Sequence, residues 1–174
     1  LATVVAGAHW ERDAGDRQAL LAVCAAAAQP QHTANRGVPG QTSENRWTLA
    51  KGPVVLLAGH GQPSRHALVH AVAAVATGSP LRVLALSAAA LAAWHAVVAD
   101  LGDAATVRDV ADAPALCGAL GRAGHATVVL DGSAAQWQPA LAVALAQHAG
   151  DRHLRQVFAA GSWPPPGEAA AVVR

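Results

Sequence analysis

Charge is scarce in this chain of 174 residues: 13% are Asp, Glu, Lys or Arg, against 53% hydrophobic. A disordered tail or a solvated linker needs the opposite balance, so both are excluded. Methionine and tyrosine are absent, and the aromatics are one Phe and five Trp. The apolar share is inflated by Ala, about a quarter of the chain. Lysine occurs once, at Lys51, and the other eleven cations are Arg, a bias that fits a GC-rich coding sequence better than a mechanism. A net charge of +1 supplies no global field toward nucleic acid or an anionic membrane. Only Cys24 and Cys117 are present, in no metal or redox spacing. They read as small apolar residues; a disulfide has no support, so a reducing, cytoplasmic setting is the default. No apolar run reaches ~18 residues without His, Arg, Gly or Pro, so no membrane span and no membrane partner are expected. The chain opens on Leu1 without a leader pattern, so a single domain of a longer protein is expected.

What is present is alternation. Residues 3–8 predict a short strand, 9–16 a loop, and the helix formers of 17–29 a helix stopped by Pro30. Residues 30–43 form a connector, and Ser43 caps a short helix over 44–51. These first 50 residues read as peripheral helices and connector. Beyond Gly52, strands at 53–58, 81–87, 105–110, 127–131 and 153–160 alternate with helices at 64–77, 88–101, 112–123 and 139–148. Residues 163–167 form a Pro-rich turn. Continuous apolar strands are buried on both faces, which predicts an α/β fold with a mainly parallel sheet between helices. The ligand crevice of such a sheet lies at the strands' carboxyl ends. Here those ends are 59–64, 87–90, 131–133 and 161–163.

A phosphate-binding loop would occupy the first of these turns, as G-x-x-x-x-G-K-[ST]. In register the chain reads Gly59-His60-Gly61-Gln62-Pro63-Ser64-Arg65-His66. Ser64 stands where Gly should supply an unusual backbone angle, and Pro63 removes an amide. Arg65 replaces the Lys and His66 the magnesium-binding hydroxyl. The turn is either a plain strand-to-helix connection or a degenerate phosphate loop. Val128 to Asp131 ends a strand as a Walker B segment does, but Gly132 stands where a water-positioning Glu is needed. Asp131 is then a cap or turn residue, or a metal ligand. No catalytic residue, resident metal or cofactor is expected.

These pieces carry a resemblance. Val55 to Gly59 sits where motif I of a RecD-type superfamily 1 helicase begins, and Leu84 to Ala90 looks like motif Ia. Val128 to Gly132 sits at motif II, and Ala160-Gly161-Ser162-Trp163-Pro164-Pro165 is similar to motif III without its acid and glutamine. The chain resembles more closely the vestigial helicase domain of TraI-type conjugative relaxases, through Val38-Pro39, the run from Leu56 to Gly61, and Val128 to Gly132. That resemblance covers about residues 3–170 by order and pattern more than by identical residues. It implies a RecA/RecD-like three-layer fold with about five strands. It also implies binding of single-stranded DNA without ATP hydrolysis, in plasmid transfer and in the signal recognised by a type IV secretion system. The implied partners are single-stranded DNA, the remaining domains of the same relaxase chain, including an active helicase, and a secretion coupling protein.

Charge along the chain is unevenly divided. Residues 51–99 hold Lys51, Arg65 and Arg82 and no carboxylate, whereas residues 100–131 carry a net charge of −3. A basic surface around the degenerate loop is expected from this, with His60, Gln62, Ser64, Arg65, His66 and Ser87 as candidate strand contacts. His60 and His66 are expected to charge near pH 6 and favour phosphate. Trp163 and Trp137 are the candidates for base stacking, or else pack against neighbouring chain. Trp94 reads as core, and Trp10 and Trp47 as packing at the edge. His66 and His70 share a helix face, but no third metal ligand is visible. Two alternatives stand beside DNA binding: a divergent nucleotide-binding protein of the signal-recognition-particle or flagellar GTPase type, and a docking module without a ligand.

Overall fold

The computed structural model describes residues 1–28, 52–59, 61–123 and 126–131, isolated positions 139, 142, 143 and 146, and the backbone of 154–158. Helices α1 (Ala2–Gly7) and α2 (Ala14–Ala28) precede the sheet. Then follow β1 (Val54–Ala58), α3 (Arg65–Ala76), β2 (Leu81–Ala85), α4 (Ala88–Leu101), β3 (Ala105–Asp109), α5 (Ala113–Gly121), β4 (Ala126–Leu130) and β5 (Leu154–Phe158). The fold is α/β, and its strands are parallel throughout in the order β3-β2-β1-β4-β5.

Every residue of β1 and β4 is buried, as the unbroken apolar sequences Val-Val-Leu-Leu-Ala and Ala-Thr-Val-Val-Leu require of central strands. Their register sets Leu56 beside Val83 on one side and Val129 on the other. From β1 the chain winds outward through α3, β2 and α4 to β3, then crosses back through α5 to β4 on the other flank of β1. This is a doubly wound sheet whose direction reverses between β1 and β4. Val54, Leu56, Ala58, Leu81, Val83 and Ala85 face α1, α2, α3 and α4. Val55, Leu57, Leu84, Val128 and Leu130 face α5 through Leu116 and Leu120.

Each main helix of the sheet region begins where a short polar side chain can cap it. Ser64, Ser87 and Asp112 accept from the amides of Ala67, Ala90 and Ala115 respectively. After α4, Gly102 adopts φ 75°, a conformation that only Gly reaches cheaply.

Two expectations for the amino terminus are corrected. Residues 3–8 are not a strand; most of them belong to α1. A strand needs a partner edge, and none lies beside this segment among the described residues. The helical turn instead drives Val5 into the core with Leu20 and Val23, while Val4 stays 40% exposed. Residues 14–16 are not loop but the first turn of α2, because Asp13 accepts from the Asp16 amide at 2.8 Å and so caps it. Trp94 is fully buried in the core and Trp10 packs against it. Cys24 and Cys117 are free thiols, the first buried and the second half-buried. The connector at 30–43, the helix at 44–51, most of the helix at 139–148 and the turn at 163–167 lie outside the described residues. No described helix is long and apolar enough to cross a membrane.

Candidate functional site

The carboxyl ends of β1, β2 and β4 lie where the sheet reverses direction, and the described sequence candidates belong to the turns that follow them. Ser87 is tied into both neighbouring turns: it caps α4 and donates its hydroxyl to the Gly59 carbonyl at 3.0 Å. Gly61 passes so close to α4 that a β-carbon there would stand 3.1 Å from that of Ala89. Gln62 is exposed and Pro63 half-buried. His60, Trp137 and Trp163 lie outside the described residues, as do Trp47 and Gly132.

At its described residues the turn departs from the backbone of a phosphate loop. Ser64 sits at φ −71°, ψ 159°, an extended conformation open to any residue. Positive φ among the described glycines occurs at Gly78 and Gly102, not at Gly59 or Gly61. The strained angle that the phosphate-loop register assigned to Ser64 therefore does not arise.

The amides at the start of α3 meet groups of the chain itself. Asp131, 4% exposed at the end of β4, accepts from the Ser64 amide at 3.4 Å. The Ser64 hydroxyl takes the Ala67 amide at 3.1 Å, and Pro63 has none to offer. Arg65 turns away from the crevice to the start of α2. Its Nε donates to the Asp16 carboxylate in a short bond, and its Nη2 lies 3.2 Å from Asp13. Burial pushes the Asp16 carboxyl up, but the bond and charge of Arg65, with the amide and charge of Arg12, hold it below its ordinary value. The same partnership raises Arg65 above the ordinary guanidinium value.

This packing neutralises Arg65, one of the cations of the basic surface expected here. Among the described residues around the turn, Arg12 pairs with Asp16, and Arg65 with both Asp13 and Asp16. Arg82 lies elsewhere, on the α5 face of the sheet. His66 and His70 are buried, their rings 4.6 Å apart and edge to face. Burial pushes the His66 pKa down, partly offset by the Asp131 charge. That shift works against the expectation that His66 charges in mild acid and favours phosphate. Asp13 and Asp16, which neutralise Arg65, were not among the sequence candidates. The one local signal was Asp-x-x-Asp spacing ahead of an apolar run, a capping pattern.

The described part of the site joins three strand ends into a polar floor, with the Ser64 and Ala67 amides already occupied. It holds no described nucleophile paired to a base. No protein-family profile matches the chain, and no curated protein or solved structure is significantly similar to it.

Proposed function

We propose that the chain is a RecD-like vestigial helicase domain that binds single-stranded DNA without hydrolysing nucleotide. Its setting in this reading is a TraI-type conjugative relaxase acting in the cytoplasm in plasmid transfer. Its partners there are the other domains of that chain and a type IV secretion coupling protein. The finer fold assignment, a three-layer RecA/RecD-like domain with about five strands, belongs to the same proposal.

The observation that carries it is the contact between Asp131 and the Ser64 amide. In a nucleotide hydrolase the start of this helix faces phosphate. Here a carboxylate of the chain takes that place, and a second anion would have to displace it. Arg65, the one cation in register with a phosphate-loop Lys, is held by Asp13 and Asp16. The DNA half of the proposal is supported by the order of helicase-like segments along the sequence.

A nucleotide-binding reading is favoured by one feature, the reversal of strand order between β1 and β4, where doubly wound folds hold nucleotides. Two assays on the full chain separate the readings. Fluorescence anisotropy with labelled oligo-dT is expected to show binding, and magnesium-dependent turnover of ATP or GTP is expected to be nil. Turnover above background that Arg65→Ala abolishes, or a rise in Tm with magnesium nucleotide, overturns the proposal in favour of the second reading.

A further inference from the structure

Side-chain alternation puts an arginine cluster on the far face of the sheet. Leu81, Val83 and Ala85 of β2 and Ala105 of β3 pack under α3 and α4. Their neighbours Arg82, Leu84, Thr106 and Arg108 therefore point to the α5 side. The register pairs Arg82 with Thr106 and Leu84 with Arg108, so the four form one patch across two strands. Helix α5 covers β1 and β4, and β3 contributes nothing to the cluster beneath it. Beside it, among the described residues, lies a cleft of about 410 Å³, walled by these strand residues on one side and by Ala119 and Arg122 of the α5 end on the other.

Arg82, Arg108 and Arg122 are all exposed. Among the described residues, no carboxylate lies within ion-pair distance of any of them, whereas Arg12 and Arg17 each have one and Arg65 has two. Arg82 Nη1 donates to the Arg122 carbonyl at 3.4 Å and so links the two walls. Three like charges around one cleft repel each other unless an anion lies among them. The planar guanidinium fork matches phosphate oxygens in two-point contacts. Leu84 and Ala119 give the cleft an apolar floor against which a sugar can lie. Among the described residues no aromatic side chain lines it, so the contacts they offer a strand are to phosphate and sugar.

We propose that this arginine cleft between α5 and the β2–β3 edge holds the sugar-phosphate backbone of a single DNA strand. That the anion is a strand rather than a free phosphate rests on the DNA-binding reading above. The strand thus runs on the α5 face, away from the strand ends.

The test is a salt series of oligo-dT anisotropy on the full chain. Three phosphate contacts at ~0.7 counterions each contribute about −2 to the slope of log K against log salt. Arg108→Gln and Arg122→Gln are each expected to weaken binding several-fold and flatten the slope by ~0.7. The triple variant with Arg82→Gln flattens it by ~2. Circular dichroism checks each fold. Arg82→Gln also removes the link to the Arg122 carbonyl, so Arg108→Gln carries the test if that variant fails to fold. Inorganic phosphate and a duplex of the same length are run as competitors, and both are expected to compete poorly. Binding of oligo-dT by the wild type with unchanged slopes in the variants overturns the cleft and leaves the DNA reading standing. No binding of oligo-dT by the wild type overturns the DNA reading, and the strand with it. Arginine-dependent binding of free phosphate or duplex in preference to the single strand overturns the proposed occupant.

Discussion

Two imidazoles inside α3 determine how the domain answers mild acid. His70 is fully buried, and burial, followed by the nearby charge of His66, pushes its pKa down to about 4. His66 is shifted in the same direction by burial. A His whose folded pKa lies below its unfolded value of ~6.5 stabilises the fold while neutral. That contribution is complete above pH ~6.5 and is lost as pH falls toward about 4. For His70 the loss is of order 3 kcal/mol, a large part of the roughly 5–15 kcal/mol typical of a domain. Urea midpoints are expected to drop between pH 7 and pH 5, and His70→Leu is expected to flatten that drop. Equal pH dependence in wild type and variant would sink the idea. Asp16 works in a different window: its lowered pKa contributes stability that is lost only as pH falls below ~4. Asp16→Asn is expected to cost about 1–2 kcal/mol at pH 7, because it weakens the acceptor shared by Arg65 and Arg12. Combined with Arg65→Gln the loss should be less than additive, since both remove one contact. That pairing was not legible in the sequence. The partners are 49 positions apart, and each reads locally as an ordinary solvated charge.

The elements themselves were largely legible, for reasons that also locate the miss. Continuous apolar runs such as Val54 to Ala58 and Ala126 to Leu130 fit only strands buried on both faces, and Pro and Gly punctuate them. The helices announce themselves by small polar residues one position ahead, at Ser64, Ser87 and Asp112. The segment at 3–8 misled because its Val-Val pair carries β propensity, whereas burial against α2 decides its form. The caps are not equivalent, and that difference can be measured. Asp112 caps α5 on the surface, and Asp112→Ala is expected to cost about 1 kcal/mol. Ser87 both caps α4 and holds the Gly59 carbonyl, so Ser87→Ala should cost about 2 kcal/mol and loosen the turn after β1. Ser87→Asp restores the cap without the donor and should recover only part of the loss. Denaturant unfolding of the three variants decides this, and equal losses in Ser87→Ala and Asp112→Ala would place no weight on the Gly59 link.

At the scale of the whole molecule, linear charge blocks and surface charge part company. In sequence, Arg82 belongs to a basic block while Arg108 and Arg122 sit in an acidic one, yet the sheet register and α5 bring them to one cleft. The basic block's own Arg65 ends among carboxylates that precede and open α2. Such relocation depends on strand order, which no local pattern encodes. The same holds for the first 28 residues, which read as peripheral in sequence. In the fold, Val5, Leu20, Val23 and Cys24 share one core cluster with Leu56 of β1, Leu68 and Val72 of α3, and Trp94 of α4. Burying a Val or Leu side chain stabilises by ~1.5–3 kcal/mol, so Val5, Leu20 and Val23 together contribute about 5–9 kcal/mol, comparable with the whole margin of a domain. Removing residues 1–28 would also strip Arg65 of both carboxylates and open α3 to water. The truncated chain is therefore expected to lose its cooperative thermal transition and to bind a dye specific for exposed apolar surface. If it instead melts sharply within a few degrees of the full chain, α1 and α2 are an appendage, and the sheet with α3, α4 and α5 is a sufficient core.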